Sequence, residues 1–288
     1  KEDIIYILLN ILGVRCNTNM PRIRANIRLQ DKSEYFYFGL ANNPHSPFHL
    51  EKGKVYFQND NIAEIKGIEN DDCASSYFRR NKTVLTINSN KRSNCRGCQF
   101  CTNKLELNSE DKNLNTTSKL KKHFEDILKE VQKEDLSFLE RITICTGCFK
   151  NEQETLDHIL MVYDVVTSLA FPGIIHYIGS QIQAPDAFKK IRETIRYFMY
   201  TFTIECFSKR RHILRPSKAE ITLNKYKSLM RLALENRFIV NYIYILGIVS
   251  FSIFQKYTQE FREYTNYFPS INLFQLHDLK HYTLCSNY

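Results

Sequence analysis

From Thr83 onward, short runs of β-branched and aromatic residues alternate with longer amphipathic stretches, and that rhythm leaves few folds open. Strands are expected at Thr83–Asn88, Arg141–Cys145, Ile174–Ile178, Tyr200–Cys206, Ile239–Leu246 and Ser270–Gln275. Between them, helices are expected at Lys119–Lys133, Glu152–Leu169, Pro185–Tyr197, Lys218–Asn236 and Ser252–Tyr264. In the second of these, Leu156, Ile159, Leu160, Tyr163 and Val166 share one face at helical spacing. Alternation of this kind predicts an α/β protein with a parallel sheet and crossover helices. Six units in about 190 residues suit a partial (βα)6 TIM-like barrel better than a closed eight-fold barrel of ~250 residues.

Residues 1–80 follow another pattern. An apolar helical start at Ile4–Leu12 gives way to alternation at Ile23, Ala25, Ile27 and Leu29, then at Tyr35–Phe38, Val55–Phe57 and Ile62–Ile65. The turn signals Asn42-Asn43-Pro44, Ser46-Pro47 and Lys52-Gly53 punctuate these runs, so a β-rich N-terminal extension is expected over 1–80 and the barrel over 81–288. Asn103–Ser118 is polar and reads as an exposed loop. Phe238–Phe254 is apolar throughout but diluted by Asn241, Ser250 and Ser252, and reads as a buried strand running into a helix, not as a membrane span. A chain that opens on Lys1 is expected to be a trimmed or processed fragment. At 43% hydrophobic and 25% charged residues, the 288-residue chain is neither disordered nor collagen-like. Its net charge of +9 admits anionic partners, among them nucleic acid and phosphorylated molecules, without demanding them.

The nine cysteines carry the chemistry: Cys16, Cys73, Cys95, Cys98, Cys101, Cys145, Cys148, Cys206 and Cys285. Their number is odd, their spacing clustered, and no secretory signal is visible, which points to metal binding in a reducing compartment instead of a disulfide framework. Cys95, Cys98 and Cys101 fall in Ser93–Thr102 (SNCRGCQFCT), just after the first barrel strand. Three thiolates at that density suit a soft metal or an iron–sulfur cluster, and a cubane held by three cysteines leaves one iron open. The alternative is a zinc site that uses the paired Cys98/Cys101 and Cys145/Cys148, in a non-enzymatic protein that binds nucleic acid through its basic residues. Cys148 and Cys206 read either as relays facing a site or, more commonly for such residues, as buried small hydrophobes. His176, His212 and His277 read as structural.

The cysteine run resembles the signature of the radical S-adenosylmethionine (radical SAM) superfamily, CxxxCxΦC. Cys98-Gln99-Phe100-Cys101 fits its second half, with Phe100 as the aromatic; Cys95 departs from it, having two intervening residues before Cys98 where the family has three. The resemblance spans roughly residues 83–276. It implies that Cys95, Cys98 and Cys101 ligate a [4Fe–4S] cluster and that S-adenosylmethionine binds the open iron. It implies further that Gly147, in Thr146-Gly147-Cys148-Phe149, receives the methionine amino group, although the usual Gly-Gly-Glu is missing and only Glu152 follows. Glu205, ending the fourth strand, is implied as acceptor for the ribose hydroxyls. In the basic run Lys209–Lys218, Arg215 and then Lys218 are the candidates for the cofactor's carboxylate. Gly247, ending the fifth strand, would lie beside the adenine. The resemblance also implies an electron donor such as flavodoxin or ferredoxin and a cytoplasmic setting. The substrate itself is not legible, a small molecule or specialised metabolite being preferred with nucleic acid as an alternative, and no membrane partner is expected.

Overall fold

The computed structural model describes residues 2–70, 76–80, 82–90, 97–101, 113–276 and 279–285. Cys73, Cys95 and His277 therefore lie outside the described residues, as does most of the expected loop 103–118. The chain is a mixed α/β protein with two sheets, each curled as a half-barrel.

The first sheet is built from β1 (Arg15–Cys16), β2 (Arg22–Leu29), β3 (Phe36–Ala41), β4 (Phe48–Glu51), β5 (Lys54–Phe57) and β6 (Asp60–Asn70), in the order β1-β4-β5-β6-β2-β3. Its pairings are antiparallel except that of β1 with β4. Helix α1 (Glu2–Leu12) precedes it. Alternation along β2 buries Ile23, Ala25, Ile27 and Leu29 in a small core with Leu9, Leu40, Phe48, Val55 and Ile65. Sequence reasoning marked α1, β2, β3, β5 and β6; it passed over the two short strands β1 and β4.

The second sheet runs β7 (Tyr77–Arg79), β8 (Val84–Ile87), β9 (Arg141–Cys145), β10 (Ile174–Gly179), β11 (Phe198–Glu205), β12 (Ile239–Leu246) and β13 (Ser270–Leu273), in strictly sequential order. From β8 to β13 every neighbouring pair is parallel. Only β7, an element that alternation did not reveal, pairs antiparallel, through a hairpin with β8. Parallel neighbours need crossovers, and these are α2 (Thr117–Val131), α3 (Glu152–Ser168), α4 (Pro185–Thr194), the short α5 (Arg210–Ile213) and α6 (Pro216–Ala219) with α7 (Leu223–Glu235), and α8 (Phe251–Phe261).

Local chemistry starts these helices where the sequence suggests. Thr116, Asn151 and Thr222 each accept an amide proton from the residue three positions on, and Pro185 opens α4. On α3, Leu156, Ile159, Val162 and Val166 are buried, while Leu160 and Tyr163 pack at the margin. Every residue of β11 is buried, which fits a central strand covered on both faces. Phe238–Phe254 forms β12 and the start of α8, and among the described residues no helix is long and apolar enough to cross a membrane. Two seams join the ends of the chain: the Leu276 amide donates to Ile11 O at 2.8 Å, and the Gln275 side chain donates to Gly39 O at 3.1 Å.

Candidate functional site

A cavity of about 1740 Å³ opens on the concave face of the second sheet and is closed in part by α1, β2 and β3. Strand alternation decides what lines it. Thr86 on β8, Arg141, Thr143 and Cys145 on β9, and His176 and Ile178 on β10 face it; so do Met199, Thr203 and Glu205 on β11 and Asn241, Ile243 and Ile245 on β12.

Midway along the strands these inward positions make a polar ladder. The Thr143 hydroxyl lies 3.1 Å from His176 Nδ1, and His176 Nε2 lies 2.7 Å from Thr201 Oγ1. The Thr201 hydroxyl donates to Asn241 Oδ1, whose Nδ2 donates to Phe268 O at 2.8 Å. Because Thr201 spends its proton on Asn241, it accepts from His176; the hydrogen-bond pattern thus assigns the proton to Nε2 and leaves Nδ1 as acceptor for Thr143. Burial, reinforced by Arg141 and Arg79, pushes the His176 pKa down to about 3. Burial alone pushes His158 on α3 down to about 4.

Both histidines are neutral when folded and take up a proton more readily when unfolded. Their contribution to stability is complete above pH 6.5 and is lost as pH falls toward their folded values. Each is expected to cost up to about 1.4 kcal/mol per pH unit across that window. Urea midpoints at roughly pH 7.5 and pH 5 check this expectation. His158→Leu should flatten part of the fall, and pH-independent midpoints would refute it.

The carboxyl ends of the strands hold most of the residues singled out from sequence. After β9, Thr146-Gly147-Cys148 is clamped to Asn90. Gly147 N donates to Asn90 O at 2.9 Å, Asn90 N donates to Thr146 Oγ1 at 2.7 Å, and Asn90 Nδ2 donates to Cys148 O at 2.9 Å. Glu152 is occupied elsewhere: its Oε1 accepts the amides of Gln183 and Ala184 at 2.6 and 2.7 Å.

Glu205 ends β11 in the left-handed region, φ 65°, where the pairing with β12 is irregular. Its Oε2 accepts from Lys218 Nζ at 2.8 Å, in a largely buried ion pair. Burial is the largest single influence and opposes the charge on Lys218, but Glu205, Cys98 and Tyr226 together outweigh it and the pKa is raised. Lys218 is thus committed to Glu205. Arg210, in the same basic run, points inward. Its Nη1 donates to Ile204 O and Cys206 O at 2.7 and 2.8 Å, and its Nη2 to Lys218 O and Ile221 O at 3.0 and 3.2 Å. One guanidinium therefore ties the end of β11 to the segment that carries Lys218. Sequence reasoning missed this role, because nothing in KRRHILRPSK distinguishes Arg210 from its neighbours.

The cysteine loop docks on that same segment. Gln99 N donates to Ile213 O at 2.8 Å, and Arg215 N approaches Cys98 Sγ at 3.4 Å. Gly97 has φ 108°, and a Cβ there would come within 3.2 Å of Arg215 Cβ, so the close approach favours glycine. Burial pushes the Cys98 thiol up to about 11, against the opposing pull of Lys218. Cys98, Phe100, Cys101, Gly147, Glu205 and Arg215 all line the one cavity; Gly247 does not, standing just beyond the lining residue Ile245. Cys145 and Cys148 line it too, whereas Cys206 is buried in the core with its thiol pushed up to about 12, mainly by burial.

Among the described residues, no three His, Cys, Asp or Glu side chains come together as a metal-holding group. Cys98 and Cys101 are nevertheless soft donors facing a polar cavity, with a backbone amide at one sulfur of the kind that tunes thiolate ligands. In that respect the residues present fit an iron–sulfur cluster. No family model and no curated protein matches this chain.

Proposed function

We propose that the protein is a radical SAM enzyme whose six parallel strands form a partial (βα)6 barrel around its site. The observation that carries the reading is that Cys98, Phe100, Cys101, Gly147, Glu205 and Arg215, dispersed over more than a hundred residues, line one cavity at the carboxyl ends of parallel strands. Cys95, Cys98 and Cys101 would hold three irons of a [4Fe–4S] cluster. When bound, that cluster supplies the electron that cleaves S-adenosylmethionine to methionine and a 5′-deoxyadenosyl radical, which takes a hydrogen atom from the substrate.

The chain's own residues bind and orient. The Thr146–Cys148 turn, held by Asn90, offers backbone groups to the methionine amino group, and Arg215 offers its guanidinium to the carboxylate. Glu205 keeps Oε1 for the ribose hydroxyls while Lys218 holds Oε2. The polar ladder below is closed on itself, so its hydroxyls are engaged with one another. The electron would come from a low-potential donor such as flavodoxin or ferredoxin, and the oxygen sensitivity of such a cluster suits a reducing cytoplasm. A small-molecule substrate is in keeping with a cavity of about 1740 Å³. The zinc reading would draw on Cys98, Cys101, Cys145 and Cys148, which line the same cavity.

Anaerobically purified protein should carry about four irons and four sulfides per chain. With a strong reductant it should release 5′-deoxyadenosine and methionine from S-adenosylmethionine, and Cys101→Ala should abolish the release. Protein with a full reduced cluster and bound cofactor that yields no 5′-deoxyadenosine would overturn the enzyme reading; one zinc and no sulfide would favour the rival.

A further inference from the structure

We propose that the amino-terminal end of the cavity is a binding site for the phosphate group of a small phosphorylated ligand, held by Arg79, Arg80 and Arg141. The inference goes beyond the proposed chemistry and uses none of its residues.

Register brings the three together. Arg79 pairs with Val84 across β7 and β8, and Val84 pairs with Arg141 across β8 and β9. Two inter-strand steps put the Arg79 and Arg141 backbones roughly 10 Å apart on one line across the sheet. Arg80 sits in the turn between β7 and β8 with φ 50°, its carbonyl taken by the Thr83 amide and hydroxyl. All three line the cavity at the end where the parallel strands begin. From Arg141 to Cys145, the length of β9, is about 13 Å at strand rise, so this end is well separated from the cysteines.

Among the described residues, none of the three has a carboxylate partner. Arg79 donates to the Tyr77 hydroxyl at 2.7 Å, Arg141 Nη1 reaches only Met199 Sδ at 3.8 Å, and Arg141 Nε is a buried donor without an acceptor. Tyr77 holds the ensemble in place, with the Arg24 guanidinium stacked 3.6 Å from its ring centroid. Burial and then Arg80 act against the Arg141 charge, Tyr267 offsets part of this, Arg79 adds a smaller push and Glu140 a smaller relief, and the pKa is lowered. The acidic residues that line the cavity are Asp3 on α1 and, at the far end of the sheet, Glu152 and Glu205.

Three arginines lining one end of the cavity, one of them with a buried Nε donor unused, call for a ligand with several acceptor oxygens and more than one negative charge. A phosphate supplies both, with bidentate geometry matched to arginine, where a single carboxylate would leave two charges unmet. The recessed place of Arg141 in a partly closed cavity favours a small ligand, and a short RNA is the competing outcome of the test.

Inorganic pyrophosphate is the probe, titrated calorimetrically into the whole protein at low salt. Saturable binding is expected, weakened about tenfold or more by Arg141→Gln and by Arg80→Gln, with malonate binding far more weakly. Arg80 is exposed on a turn, so its variant carries the test even where Arg141→Gln disturbs the fold. No saturable binding, equal affinity in a folded variant, equal binding of malonate, or tighter arginine-dependent binding of a short RNA would each overturn the proposal. A parallel titration with S-adenosylmethionine separates the two readings. Its failure to bind bears only on the cofactor, whereas competition with pyrophosphate would move the anion to the cysteine end and overturn the site.

Discussion

Glu205→Gln is expected to lower the stability of the fold by roughly 3–5 kcal/mol, and adding Lys218→Met should return most of that loss. The two side chains are each only 12% exposed, and Lys218 Nζ sits 2.8 Å from Glu205 Oε2. Removing the carboxylate leaves a buried ammonium with no counter-charge, which is costly. Removing both charges leaves an apolar chain of similar volume, which is often close to neutral. Because the Lys218 pKa is raised, its contribution is whole below the ordinary lysine value and fades only as strongly alkaline pH passes through the raised one. Urea midpoints of the single and double variants decide the matter, and a Glu205→Gln loss under about 1 kcal/mol would mean the pair is not desolvated in solution. The double variant is also the cleaner probe of the ribose contact, since it removes the Glu205 carboxylate without stranding the lysine.

Arg210→Met is expected to cost a similar amount, on the order of 3–5 kcal/mol, because four carbonyl oxygens lose their donor at once. Arg210→Lys should recover little: an ammonium is a point donor and cannot span acceptors on two segments as a planar fork does. The effect should reach the cysteine loop, since Ile213 and Arg215, which hold Gln99 and Cys98, follow Arg210 directly. Hydrogen exchange at the Gln99 amide should quicken in Arg210→Met. Unchanged exchange together with a stability loss under about 1 kcal/mol would show that the guanidinium does not organise this region.

Much of this architecture was legible because helical and strand periodicities are strong from Thr83 on. The bounds expected for β9 and β12 are those observed. Strands β1, β4 and β7, of two to four residues, left no trace: Arg15–Cys16, Phe48–Glu51 and Tyr77–Arg79 each carry too few apolar positions to show alternation. The site was legible as a set of strand-end residues, but not as a set of partners. That Glu205 takes Lys218 depends on a left-handed turn at a β-bulge, where a non-glycine residue gives no warning. That Arg210 turns inward while Arg211 and His212 stay exposed depends on which carbonyls the chain leaves open at the end of β11. The Thr143–His176–Thr201–Asn241 ladder sits at inward positions that alternation does predict. Only the register between strands, which no single segment encodes, makes them neighbours.

The seam between Gln275 and Gly39 joins residues 236 positions apart. A ribosome adding 5–20 residues per second needs roughly 10–50 s to cover that span. For most of that interval, once Asn70 has been added, the first sheet and α1 are made while the edge of the cavity along β13 does not yet exist. A nascent chain therefore presents the cavity as an open trough before it becomes a chamber. The cluster proposed for this site would have that time to be delivered from the side, and afterwards it would have to pass through the mouth or wait for the seam to part.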